Sequence, residues 1–140
     1  MSLYVLDSSV AIKWALPETG SAKALAFRDD ILNQIHEAIA PEVFASEVAH
    51  ALTKAERQKI IPVGEAATHL IDIMDAGPTL IPFLPLLARA LDISSATRIA
   101  VTDCIFVALA ELEQCELVTA DQRLITNLGT QFPIVSLDSL

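Results

Sequence analysis

No stretch of the sequence approaches the roughly 20 apolar residues that a membrane-spanning helix requires. The opening MSLYVLDSSV lacks the basic segment and long apolar run of a secretory signal. A cytosolic protein without membrane association is the expectation. Cysteine is scarce: Cys104 and Cys115 are too few and too far apart in sequence for a zinc knuckle or a CxxC redox pair, so both are read as reduced, buried thiols. The three histidines, His36, His50 and His69, are scattered. Only His50, one turn beyond Glu47, lies near an acidic motif, and no histidine-based metal site is expected. Aromatic residues make up 5% of the chain, which leaves few platforms for base stacking, worth about 1–3 kcal/mol per base where it occurs. Positive charge is also short. Nine Lys and Arg against eighteen Asp and Glu give a formal net charge of −9. That excludes a general nucleic-acid coating protein, because non-specific affinity comes mostly from Lys and Arg neutralising phosphates. Action on RNA would require bound metal ions or a local basic patch to overcome that field.

What is present is apolar residue in quantity. At 140 residues and 53% hydrophobic, the chain is expected to fold as one domain, 1–140, with a core that needs no disulfide. Leu3 to Leu6 is an apolar run ending at Asp7, the pattern of a buried parallel strand, and SSVAIKWAL from Ser8 reads as a helix. Pro17 and Gly20 break it. Ser21 to about Ile35 forms a second helix, and Ala38 to Ala40 a short second strand. Pro41 is read as opening a long helix to Ile60, and Pro62 as opening another that closes at Gly77, the two forming a hairpin. TLIPFL resembles a strand whose proline suits an end or edge position. Pro85 to Asp92 reads as helix, Ile93 to Arg98 is ambiguous, and Val101 to Gln114 is a helix apolar on nearly every side, hence central. A strand at Glu116–Thr119, a helix at Asp121–Leu128 and a strand at Pro133–Leu137 complete the series. Strands alternating with helices predict a three-layer α/β/α sandwich around a parallel sheet with right-handed crossovers.

In such sheets the ligand site lies beyond the carboxyl ends of the strands. Asp7 and Asp121 fall there, and Asp103 occupies the first turn of the central helix. Helix capping alone explains each of them singly, since a negative charge in a first turn is favoured by about 0.3–1 kcal/mol. For Asp121 a rival cap exists, because Thr119 with Gln122 fits a capping box. Glu47 resists that account. It lies on the apolar stripe of its helix with Phe44, Val48, Ala51 and Ala55, where an unpaired carboxylate needs a cation or a metal. Carboxylates converging on one pocket raise one another's pKa unless a cation is bound, and hard Mg²⁺ or Mn²⁺ is the natural choice.

The segments VLDSSV, PEVFASEVAHAL, VTDCIFVALAE and LVTADQRL, in this order and each bringing its acid, resemble a PIN domain of the VapC toxin type over nearly the whole chain. The resemblance implies that Asp7, Glu47, Asp103 and Asp121 hold one or two Mg²⁺ or Mn²⁺ ions for RNA phosphodiester hydrolysis, leaving 5′-phosphate and 3′-hydroxyl ends. It implies supporting hydroxyls at Ser9 and Thr119. It also implies a VapB-like antitoxin whose tail offers a basic side chain to the site, a homodimer or a hetero-oligomer with that antitoxin, and RNA, tRNA among the candidates, as substrate. This chain departs from many relatives in carrying Thr102, not an aromatic, before Asp103. Lys13, Arg98 and Arg123 are the candidate phosphate contacts. Trp14 is read as core or dimer interface, and Lys54, Arg57 and Lys59 as a solvated helix end. Two other readings stand beside this one. An Asp after the opening strand also occurs in haloacid-dehalogenase-like phosphotransferases, but those want a second Asp where this chain has Ser9. A PIN-like scaffold that binds RNA or protein without cutting would gain nothing from clustered, mutually repelling carboxylates.

Overall fold

The computed structural model describes residues 1–140. Its strands are β1 (Ser2–Leu6), β2 (His36–Pro41), β3 (Thr79–Ile81), β4 (Glu116–Thr119) and β5 (Ile134–Ser136). They form one parallel sheet in the order β3-β2-β1-β4-β5. Helices α1 (Ser8–Ile12), α2 (Ser21–Leu32), α3 (Val43–Arg57), α4 (Ala66–Ala76), α5 (Leu87–Thr97), α6 (Val101–Glu113) and α7 (Gln122–Leu128) connect them. On one side α3 packs against α1 and α4; on the other α5 packs against α6, which crosses β1, β2 and β4. This is the three-layer α/β/α arrangement. Val5 and Leu6 of the central strand are fully buried, as a strand covered on both faces requires. Every residue from Cys104 to Ala110 of α6 is buried too, so the helix read as apolar all round is the central one. No single helix is long and apolar enough to cross a membrane.

Several boundaries differ from the sequence reading. Pro41 does not open α3. It ends β2, paired with Ile81, a position where its missing N–H is tolerated. α1 stops at Ile12 instead of running on to Leu16. α5 runs through the ambiguous segment to Thr97, because Thr97 Oγ1 donates to the Ile93 carbonyl at 2.7 Å and Ser94 Oγ donates to that of Ile99. Arg98 then ends the helix in the left-handed conformation, φ 63°. The segment after Gly77 is an edge strand, with Pro82 just beyond it, as its proline suggested. Trp14 is half-buried, and its indole N–H donates to the Ala24 carbonyl at 2.8 Å. Gly77 beside it is required by the backbone: a Cβ there would stand 2.5 Å from the Ile73 carbonyl, while the Trp14 ring at 3.6 Å would be in ordinary contact. Trp14 is thus a packed side chain and not a base platform.

Candidate metal centre

β1 and β4 lie side by side, and from β1 the chain winds outward first through β2 and β3, then on the other side through β4 and β5. Their carboxyl ends therefore flank the crevice at which the winding reverses. Asp7 follows the last residue of β1, Thr119 ends β4, and Asp121 is the N-cap of α7. Asp103 enters from the first turn of α6 and Glu47 from the middle of α3.

Asp7 is only 5% exposed. Its Oδ2 accepts from Ser9 Oγ at 2.5 Å and from Thr119 Oγ1 at 2.7 Å, and no hydroxyl is bonded to Oδ1. The two hydroxyls are themselves anchored: the Ala120 N–H donates to Ser9 Oγ and the Asp121 N–H to Thr119 Oγ1, both at 3.0 Å. Asp7 caps nothing with its side chain, although it stands at the N-cap of α1. Burial pushes its carboxyl above the usual range, against the pull of both hydroxyls. Glu47 is half-buried and accepts from Ser8 Oγ at 3.2 Å through Oε1. Burial first, and the Asp7 charge second, push its pKa up to about 7. Asp103 is raised by burial and then by Asp7, with Arg123 opposing. Asp121 adds to the field at both Asp7 and Asp103. The acids thus share one electrostatic environment.

Arg123 is the one cation bonded to them. Its Nη2 donates to Asp103 Oδ2 at 3.0 Å and lies 3.8 Å from Asp121 Oδ2. No three acidic or histidine side chains draw together into a finished coordination cage, so the crevice is an acidic mouth bridged by a guanidinium. The donor set nevertheless suits a hard divalent ion. It is all oxygen, it includes an Asp7 oxygen with no hydroxyl partner, and three of its members are held above their usual pKa by burial first and by one another's charge as well.

The capping-box reading at Thr119 is overturned. Asp121 is itself the cap, its Oδ1 accepting from the Arg123 N–H at 2.9 Å, because the Thr119 hydroxyl is engaged by Asp7 across the sheet. Lys13 does not bond the acids; its Nζ donates to the Thr19 carbonyl at 2.7 Å. Arg98 is exposed at the end of α5 and bonds none of them. His50 is exposed, with only its carbonyl engaged, by Thr53. Ser8, which holds Glu47, escaped the sequence reading, and its one signal was its place beside Asp7 at a helix start.

A family model described as PIN domain matches residues 4–127. A search of curated proteins finds no match. Among solved structures, the chain is similar to PAE2754 from Pyrobaculum aerophilum, with TM-score 0.71 and 19% identity, covering 99% of this chain and 92% of that one. It is similar to a toxin-antitoxin complex from Klebsiella pneumoniae, with TM-score 0.61, 16% identity and 98% of each chain covered. It is also similar to VapBC2 from Rickettsia felis bound to a DNA fragment from their promoter, with TM-score 0.64, 14% identity, 96% of this chain and 98% of that one. At such identities these likenesses speak for the fold.

Proposed function

The chain belongs to the PIN domain family, and from that premise we propose that it is a Mg²⁺- or Mn²⁺-dependent endoribonuclease, the toxin of a type II toxin-antitoxin pair. The observation that carries this reading is the gathering of Asp7, Glu47, Asp103 and Asp121 into one crevice, where burial and mutual repulsion raise the pKa of three of them. A fold has no structural use for such an arrangement, which costs stability unless a cation is bound.

Asp7, Asp103 and Asp121 would hold the ion, and Ser9 and Thr119 fix the Asp7 carboxylate through Oδ2, leaving Oδ1 without a hydroxyl partner. When bound, the ion supplies the Lewis acid that offsets charge building on the scissile phosphate. Glu47 would join them as a further ligand or orient the attacking water and accept its proton: Ser8 holds Oε1, leaving Oε2 for that role, and its raised pKa in the metal-free protein marks a carboxylate that gains from a nearby cation. Arg123, whose guanidinium bonds Asp103 through Oδ2, would turn from that carboxylate to the substrate phosphate when an ion takes its place as counter-charge. Attack on phosphorus leaves a 5′-phosphate and a 3′-hydroxyl.

An antitoxin of VapB type, with a basic side chain for the acidic mouth, is the proposed partner, in keeping with the toxin-antitoxin complex among the similar structures. A homodimer through the α3–α4 hairpin is proposed as well, where Ile60, Val63 and Ile71 are exposed. The place of action is the cytosol. The reading is tested by incubating purified protein with total tRNA and a structured-RNA pool in Mg²⁺, Mn²⁺ or EDTA. Cutting with either ion and none in EDTA is expected. Binding without cutting under every ion would point to the scaffold instead.

A further inference from the structure

On the Ser9 side of the acidic crevice a groove of about 330 Å³ runs between α1 and α3, lined by Ser9, Lys13, Ala51, Lys54, Gln58 and Ala120 among others. Two sequence spacings make it a continuation of the site. Ser9 and Lys13 are four residues apart on one face of the α1 turn, and Glu47, Ala51, Lys54 and Gln58 form one stripe along α3. Following that stripe, charge changes from acid to base over seven residues, about 10 Å of helix. Ser9, Ala51, Ala55 and Ala120 in its lining have short side chains, which leaves space for a polymer backbone. Lys13 is set in place, its side chain 15% exposed and its Nζ bonded to the Thr19 carbonyl at 2.7 Å. The single carboxylate in the lining, Glu18, is an exposed partner of Lys13 at 3.4 Å. In a chain of net charge −9, two lysines against the one carboxylate of Glu18 leave this lining one positive charge in excess beside the acids.

We propose that this groove is the phosphate-binding track for the RNA strand as it leaves the acidic crevice, with Lys54 and Gln58 contacting the backbone and Lys13 providing a fixed positive charge. It rests on the nuclease reading and adds the path of the strand. The contacts are to phosphate, so the track is indifferent to base identity. Lys54 is thereby more than a solvated helix end.

The test is steady-state cleavage of total tRNA with Mn²⁺ across a salt series, using Lys54→Ala, Lys54→Arg and, as control, Arg57→Ala on the same helix outside the groove. Lys54 is exposed, so folding is spared. Lys54→Ala is expected to raise KM about three- to tenfold with kcat unchanged, and to reduce the slope of log KM against log salt by about one. Lys54→Arg should restore both, and Arg57→Ala should match wild type. An unchanged KM and slope in Lys54→Ala, with wild-type cutting intact, overturns the track alone. Absence of wild-type cutting with every ion overturns the nuclease reading and the track with it.

Discussion

Replacement of Asp7 by Asn is expected to lower metal-dependent RNA cleavage more than about a hundredfold, because even residues that merely support a metal's ligands are worth 10–100-fold in activity. The fold should survive. Asn retains one carbonyl oxygen, which can accept from Ser9 and Thr119 as Oδ2 now does, and its amide then occupies the position of Oδ1. At 5% exposure the Asp7 charge is held at a cost, as its raised pKa records, so the neutral side chain should keep or raise the melting temperature of the metal-free protein. Initial cleavage rates with Mn²⁺, with circular dichroism melts alongside, check both halves. A variant that cuts at the wild-type rate removes Asp7 from the site.

The metal-free protein is expected to be more stable at pH 5.5 than at pH 8, the reverse of what ion-paired carboxylates produce. Glu47 titrates near pH 7 when folded and near 4.3 when unfolded. Between those values the native state binds more protons, so stability is greatest below the window and declines as pH rises through it. Asp7 and Asp103 are displaced in the same direction. Because Glu47 is only half-buried, solvent screening reduces its contribution to about 1–2 kcal/mol, or about 3–6 °C in a domain of this size. Glu47→Gln should flatten the profile and raise the melting temperature at pH 8. Melts of both proteins in EDTA across pH 5–8 decide the matter; equal pH dependence in the two would show that Glu47 carries no strained charge.

Much of this site was legible because its chemistry is tied to local pattern. An apolar run ending in Asp7, an acid in the first turn of an all-apolar helix and an acid just after a third apolar run each announce a strand end or a helix start, and the sheet topology brings such ends together. Glu47 was legible for a different reason, as a carboxylate on an apolar stripe. What local pattern misses is how long-range partners redistribute polar groups. From its own segment Thr119 read as a cap; only the family resemblance pointed to it as a supporting hydroxyl, and that hydroxyl is bonded to Asp7, 112 residues away. Arg123 read as a phosphate contact, and nothing local announced that it also bridges to Asp103 across 20 residues. The groove between α1 and α3 was invisible because its two walls, Ser9 and Lys13 on one side and Ala51, Lys54 and Gln58 on the other, lie far apart in sequence. Element ends drifted for a local reason: at the end of α5, Thr97 finds an acceptor in the Ile93 carbonyl one turn back, and Ser94 finds one in the Ile99 carbonyl just past the helix.

The claim that Asp7, Glu47, Asp103 and Asp121 make a single divalent-cation site is tested most directly by calorimetric titration of the protein with Mn²⁺ at pH 8 and pH 6, beside Asp103→Asn. The account predicts saturable binding at pH 8 that is markedly weaker at pH 6, proton release on binding near pH 7, and loss of binding in Asp103→Asn. Absence of saturable binding at pH 8, or an affinity indifferent both to pH and to Asp103→Asn, would contradict it.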